Sequence, residues 1–268
     1  MSSDVRFEFT KENIDGFLKE LAKEYRKQVG KAMPAELILI GGASVLINYG
    51  FRNMTTDIDA LIHASSAMKD AIRLVGDRHS LPNDWLNADF RQTDSYSSKL
   101  AEFSVYYKTW SNILTVRTIS AEYLIAMKLR SGRQYRSDLS DVIGILAEHE
   151  KKGVPLRIEQ IEKAVSDLYG SWDQLPEASQ AFIQNVFQDG RFEQLYSQMA
   201  ADEKETRSLL IQFEQNYPDI LKKENADSVA ENLQKKKNRA SLLASLREMQ
   251  QDAGKDPGRN RRQSRDAR

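Results

Sequence analysis

A short apolar segment that ends at two adjacent glycines constrains this sequence more than any other feature. Residues 37–40 are Leu-Ile-Leu-Ile, which is typical of a buried β-strand, and Gly41 and Gly42 follow at once. A helix is predicted next, stopping at Gly50, and a second strand is predicted over residues 55–62. The order strand, diglycine turn, helix, strand indicates an α/β core.

Two acidic residues on the second predicted strand are candidate metal ligands. Asp57 and Asp59 are two apart, so their side chains share one face of the strand while Ile58 points to the other. Two anions held together need a cation, and hard oxygen ligands suit Mg²⁺ or Mn²⁺ bound jointly with substrate phosphates. The alternative is a strand end with two solvated acids, because Asp-x-Asp alone is a weak motif.

The diglycine turn is a candidate phosphate site. A strand that turns through Gly41 and Gly42 into a helix presents backbone N–H groups to an anion at the positive end of the helix dipole. Ser44, in the first turn, adds a hydroxyl. The alternative is a tight turn in which glycine supplies positive φ. An anion site beside a carboxylate pair carries more information than either feature alone.

The remaining pattern predicts an α/β (α+β) fold, with a mixed sheet flanked by helices and an all-helical C-terminal region. A hairpin is predicted from residues 101–107 and 113–117, and residues 81–87 are predicted to form a turn-rich loop. Helical periodicity replaces the strand pattern after residue 157. The predicted domains are an N-terminal helix packing on the core (1–34), the α/β domain (35–150), a helical region (151–221) and a basic helical and disordered tail (222–268).

Composition excludes several classes of protein. The chain has no cysteine, so no thiol nucleophile, disulfide scaffold or Cys-ligated metal site is available, and it has only three histidines. The longest apolar stretch covers about half of the roughly 20 residues that cross a bilayer, and no signal peptide is visible, so a cytoplasmic protein without a membrane span is expected. Residues 222–268 contain 13 Lys and Arg against 7 Asp and Glu, which indicates either a solvated helix with a frayed end or a nucleic-acid-binding arm.

Two segments resemble a known enzyme superfamily. ILIGGASVLINYGFRNMTTDIDALI resembles the signature of polymerase-β-type nucleotidyltransferases, in which Gly-Gly or Gly-Ser precedes an Asp-x-Asp strand. SAEYLIAMKLRSGRQYRSDLSDVIGIL is similar to the Lys helix and Asp helix of bacterial abortive-infection and related toxin-like nucleotidyltransferases, and LPNDWLN resembles a loop of those domains. The resemblance covers about residues 35–150.

This resemblance implies the transfer of a nucleoside monophosphate (NMP) from ATP or another nucleoside triphosphate (NTP) to an RNA, protein or small-molecule acceptor, with Mg²⁺ or Mn²⁺ as cofactor and an antitoxin-like protein as a partner. It further implies that the triphosphate binds at Gly41, Gly42 and Ser44, that Asp57 and Asp59 hold the metal, and that Lys128 and Asp141 are functional. The alternatives are a catalytically inactive member that binds nucleotides or a protein partner, and a nucleic-acid accessory protein that uses its basic tail.

The residues themselves leave two points open, the partner of Lys128 and the source of a third carboxylate. Lys128 lies on a helix that is apolar almost all round, so its ammonium needs an anion, which is either a phosphate or an internal partner such as Asp138 or Asp141. Polymerase-β-type enzymes usually supply a third carboxylate from a later strand. Glu102, on the predicted strand 101–107, is the candidate here, and a solvent-facing acid is its alternative reading.

Overall fold

The computed structural model describes residues 7–131, 138–218, 220–221, 225, 228–230 and 232–236. Two compact units divide the chain, residues 1–203 and 204–268. In chain order the helices and strands are α1 (Lys11–Val29), β1 (Ala35–Leu39), α2 (Gly41–Asn48), β2 (Ile58–His63), α3 (Ala67–His79), β3 (Leu86–Asn87), β4 (Ser104–Trp110), β5 (Leu114–Ile119), α4 (Ala121–Ser131), α5 (Asp138–Lys151), α6 (Ile158–Tyr169), α7 (Glu177–Asp189) and α8 (Phe192–Asn216).

The first unit is built on one five-stranded mixed sheet, in the order β3-β2-β1-β5-β4. β1 pairs antiparallel with β2 and parallel with β5, while β4 closes an antiparallel hairpin with β5. β3 is short and runs parallel to β2. This topology brings the C-terminal end of β1, the N-terminal end of β2 and the C-terminal end of β5 to the same end of the sheet.

Each face of the sheet supports its own apolar core. Alternate residues of β1 point to opposite faces, so Leu37 and Leu39 pack with α1 and α3, whereas Ile38 and Ile40 pack with the cluster formed by α4, α5, α6 and α7. α4 is buried almost all round, as expected for a helix without a polar face. The acidic side of β2 therefore lies on the face of the sheet that packs with α4, α5, α6 and α7.

The predicted fold class is confirmed: a mixed sheet is flanked by helices and followed by a helical region. Two local predictions are wrong. Residues 98–103 form a 3₁₀ helix rather than the start of a strand, because the Ser97 hydroxyl caps the Lys99 N–H. Within the predicted loop 81–87, Leu86 and Asn87 form β3, a strand too short to produce a recognisable alternation.

The second unit contains the end of α8 and helical residues at 228–230 and 232–236. Within this unit the side chain of Gln234 donates a hydrogen bond to the Thr206 hydroxyl. Most of the predicted basic tail, 222–268, lies outside the described residues, and the predicted domain boundaries remain predictions. No helix of the described part of the chain is both long and apolar enough to cross a membrane.

Candidate functional site

The diglycine turn lies directly beside the acidic strand. Gly41 has φ +55°, in the left-handed region where glycine carries no Cβ penalty. The Ile40 N–H donates to the Asp59 carbonyl oxygen at 2.9 Å and ties the two segments together. A Cβ on Gly41 would lie 3.5 Å from Asp59 Oδ2. The turn at the start of α2 therefore has a carboxylate next to it.

Asp57 and Asp59, named here the acidic pair, differ in exposure. Asp57 is exposed and comes just before β2, and its carbonyl oxygen accepts the Thr55 hydroxyl at 3.2 Å. Asp59 is half-buried on β2, while Ile58 between them is fully buried. The pair is therefore anchored by an apolar side chain and keeps at least one carboxylate open to solvent.

Gly42 allows a second segment to approach the turn. A Cβ there would lie 2.6 Å from Thr55 Oγ1 and 3.1 Å from Arg52 Nη2, closer than a side chain at this position could fit without displacing them. Thr55 is buried and its backbone exchanges two hydrogen bonds with Phe9. The segment from Arg52 to Thr55 is thereby held against the first turn of α2.

The Ser44 side chain does not lie on the outer side of this turn. Its side chain is fully buried, and its hydroxyl accepts the Ile119 N–H at 3.2 Å. Ser44 therefore joins α2 to the end of β5.

Lys128 pairs with Asp138 and Asp141, the internal partners that were one of its two predicted alternatives. Its Nζ lies 2.9 Å from Asp138 Oδ1 and 2.7 Å from Asp141 Oδ2, and its side chain is 5% exposed. Asp141 is also paired with Arg52, through the same Oδ2. We name the four residues Arg52, Asp141, Lys128 and Asp138 the ion chain, because opposite charges alternate along it.

Burial and pairing act in opposite directions on Lys128. Burial lowers the pKa of its ammonium, but the charges of Asp138 and Asp141 more than offset this, so the pKa lies above its ordinary value. The two carboxylates therefore favour the charged form of Lys128 in the folded protein. The Ser131 hydroxyl donates to Asp138 Oδ2 at 2.9 Å and supports the far end of the chain.

A further carboxyl group lies over the ion chain. Glu203 Oε2 accepts the Ser140 hydroxyl at 2.8 Å, while its buried Oε1 has no hydrogen-bond partner among the described residues. Burial raises the pKa of Glu203, and the negative charge of Asp141 raises it further.

Sequence reasoning missed two residues at this end of the sheet. Arg52 stands in a loop without periodicity, and only its contact with Asp141, 89 positions away, shows its place. Asn87 is in register with Asp59 across the β2–β3 pair. Its Oδ1 accepts the Asp89 N–H at 2.9 Å, and its Nδ2 donates to the Asp84 carbonyl at 3.1 Å.

The structure does not bring Glu102 to the acidic pair. It is exposed on the 3₁₀ helix before β4, and β1 and β5 lie between β4 and β2, a separation of three strand spacings or about 14 Å. Within the described ranges, no three His, Asp or Glu residues are grouped so that they could hold a metal ion. The carboxylate that the structure places against the turn is that of Asp59.

Comparison with known proteins identifies the segment that contains the turn and the acidic pair. No curated protein and no solved structure matches the chain. A family model described as "Nucleotidyltransferase of unknown function (DUF6036)" matches residues 16–148, just under half of the chain. This range runs from α1 to α5 and includes every residue of the acidic pair and the ion chain. The match supports a nucleotidyltransferase-type domain over residues 16–148.

Proposed function

We propose that this chain is a Mg²⁺-dependent nucleotidyltransferase that binds an NTP at the diglycine turn and moves its NMP group to a hydroxyl acceptor. The observation that carries the proposal is the distance of 3.5 Å between Asp59 Oδ2 and the position of a Cβ on Gly41. It supports a single ligand, a metal-bound triphosphate, that touches both the turn and the carboxylate.

The donor set fits a hard divalent cation. Asp57 and Asp59 supply carboxylate oxygens, and Mg²⁺ in such sites is commonly bound through one or two carboxylates together with substrate phosphates. Mn²⁺ accepts the same ligands. When bound, the cation would offset phosphate charge and polarise the phosphoryl group.

The chain itself would orient the triphosphate. The first N–H groups of α2 have no partner within the helix and favour an anion. Gly41 has no side chain to keep a phosphate away from the backbone. In the proposed reaction the acceptor oxygen bonds to the α-phosphorus, the bond from that phosphorus to the pyrophosphate oxygen breaks and pyrophosphate leaves, and the proton of the acceptor hydroxyl passes to solvent.

The resemblance of the two long segments extends this proposal to a toxin-like role. Under it, the acceptor is an RNA, a protein or a small molecule, and an antitoxin-like protein restrains the activity. Inhibition of growth on expression, relieved by Asp59→Asn, is the expected result.

The direct test is transfer of label from α-³²P-NTPs, in Mg²⁺, to total RNA, to protein and to a small-molecule extract. We expect labelling of one fraction and release of pyrophosphate, both abolished by EDTA. Asp57→Asn and Asp59→Asn should each lower the rate about 100-fold or more, as expected for groups that stabilise developing charge.

Asp77→Asn is the matched control, because Asp77 is exposed on α3, on the other face of the sheet, and pairs only with Arg73 among the described residues. It should keep full activity. Transfer that persists in Asp59→Asn would refute the assigned site. Binding of Mg-NTP without labelling of any fraction would favour the inactive nucleotide-binding alternative.

A further inference from the structure

We infer that Arg52 is a phosphate-binding residue of this site, and that Lys128 and Asp141 are positioning residues that hold its guanidinium at the diglycine turn. The inference rests on the proposed function and adds to it a residue that belongs to neither the turn nor the acidic pair. It also changes the role of Lys128 and Asp141, which the resemblance implies are functional without saying how.

Arg52 has side-chain donors that no acceptor in the described part of the chain uses. A guanidinium has five N–H groups. Nε donates to the Met54 carbonyl at 3.1 Å, and Nη1 donates to Asp141 Oδ2. Within the described residues, Nη2 donates to no protein acceptor. Its two N–H groups remain available for a ligand.

Nη2 of Arg52 lies toward Gly42. It is 3.1 Å from the position of a Cβ on Gly42, so only a glycine leaves the edge of the guanidinium in contact with the first turn of α2. Nη2 therefore lies beside the first turn of α2, whose N–H groups have no partner within the helix. Backbone and guanidinium donors together are a common way of binding phosphate oxygens.

The exposure of the side chains differs along the ion chain. The side chains of Lys128 and Asp141 are 5% and 3% exposed, whereas that of Arg52 is 19% exposed. Lys128 has two carboxylates within 2.9 Å, so its ammonium is already compensated and closed to a substrate. Arg52 is the cationic end of the chain that reaches the surface.

The ion chain holds the Arg52 guanidinium in place before a ligand binds. Free arginine side chains lose considerable rotamer freedom when they bind a ligand, and holding the guanidinium in place beforehand reduces this cost. Asp141 fixes one nitrogen of Arg52 and is itself fixed by Lys128, which is fixed by Asp138. The buried part of the chain thus orients the part that meets the ligand.

The test is binding of inorganic triphosphate and of Mg-NTP to the full chain, measured by calorimetry. Arg52→Gln should weaken both about 10- to 100-fold, as expected for loss of charge-assisted hydrogen bonds. Arg52→Lys should restore part of the affinity, because it keeps the charge but lacks the planar fork. Affinity for the nucleoside without phosphates should not change, which separates phosphate binding from a general effect on structure.

Two further variants sharpen this test. Asp141→Asn keeps an acceptor for Arg52 but removes the charge, and should weaken triphosphate binding less than Arg52→Gln does. Arg78→Gln is the matched control: Arg78 pairs with Glu20 and Glu24 on the other face of the sheet, and its loss should leave binding unchanged. Arg52→Gln should remain folded, because Asp141 keeps Lys128 as a partner, and circular dichroism checks this.

Each outcome separates this inference from the proposed function. If Arg52→Gln binds triphosphate as the wild type does, Arg52 is only structural, while transfer that depends on Asp57 and Asp59 still supports the enzyme. If triphosphate binding depends on Arg52 but no NMP transfer is found, the anion site stands and the proposed function fails. If the wild type binds no triphosphate, both are overturned.

Discussion

The acidic pair and the ion chain use the same residue types for opposite purposes. Asp57 comes just before β2 and is exposed, and Asp59 is half-buried on β2. Asp138 and Asp141 are buried, and each has a cation within 2.9 Å. Asp57 is open to solvent, where a ligand can reach it, whereas Asp138 and Asp141 are buried and paired with Lys128. Under the proposed function, exposure rather than residue type separates the carboxylates that bind a ligand from those that support the site.

Shared partners make the members of the ion chain depend on one another. Removing charges from water is costly, and a buried pair recovers that cost only while both partners are present. Asp141 serves Arg52 and Lys128 at once, so a change at one end alters the electrostatic environment of the other. Among the described contacts of Asp57 and Asp59, none is with Lys128.

The largest expected effect is loss of the central cation. Lys128→Met should lower the free energy of unfolding by about 3–5 kcal/mol, because it removes the ammonium that lies between Asp138 and Asp141 and leaves two buried carboxylates without that charge. Urea denaturation followed by circular dichroism measures this change.

Lys152→Met provides the matched control for that variant. Lys152 is half exposed and pairs with Glu148 one helical turn away, an arrangement expected to contribute less than about 1 kcal/mol. Equal effects of the two substitutions would show that the ion chain is not a buried structural unit.

The part of the site that could be predicted from the sequence is the part built from local pattern. The apolar run before Gly41 and the alternation around Ile58 predict two strands, and Asp59 follows from its place in the second. A buried Lys128 on an apolar helix predicts the need for an anion. Which anion it is depends on how α4 and α5 pack, and the spacing of residues does not determine this.

The residues that escaped prediction have no periodic context. Arg52 lies in a loop, and its partner is 89 positions away. Asn87 belongs to a strand of two residues, and Glu102 lies in a segment whose alternation suggests a strand although a capped 3₁₀ helix forms. In each case a single long-range pairing or a local cap decides the structure, and neither leaves a repeated signal in the sequence.

A second prediction concerns Gly42, which lies between the acidic pair and the ion chain. Gly42→Ala would place a Cβ 2.6 Å from Thr55 Oγ1 and 3.1 Å from Arg52 Nη2. Two backbone hydrogen bonds with Phe9 fix the Thr55 backbone, and the Thr55 hydroxyl donates to the Asp57 carbonyl oxygen. We expect a loss of about 1–3 kcal/mol of stability from overpacking, measured by urea denaturation, together with weaker triphosphate binding because Arg52 is displaced.

Gly16→Ala is the matched control, since Gly16 is inside α1 and a Cβ there would meet no atom within 4 Å. It should stabilise the chain by roughly 0.5–1 kcal/mol, because alanine has the higher helix propensity. If Gly42→Ala were equally stabilising, the close approach of the Arg52–Thr55 segment to α2 would be refuted.

The smallest expected effect tests whether the ion chain can accept another negative charge. Burial raises the pKa of Glu203 above its ordinary value of 4.5, so the folded protein keeps this proton to a higher pH than the unfolded chain does. The contribution of Glu203 to stability is therefore greatest below pH 4.5, falls as the pH rises toward the raised pKa, and is constant above it. The slope from this one group cannot exceed about 1.4 kcal/mol per pH unit.

Glu203→Gln should remove that slope, because the amide oxygen still accepts the Ser140 hydroxyl and carries no charge. The variant should match the wild type near pH 4 and exceed its stability near pH 8, as measured by urea midpoints across this range. Glu162→Gln, an exposed change on α6, should follow the wild type throughout. If Glu203→Gln were less stable at pH 8, an ionised Glu203 would be a favourable member of the ion chain, and the chain would be incomplete without it.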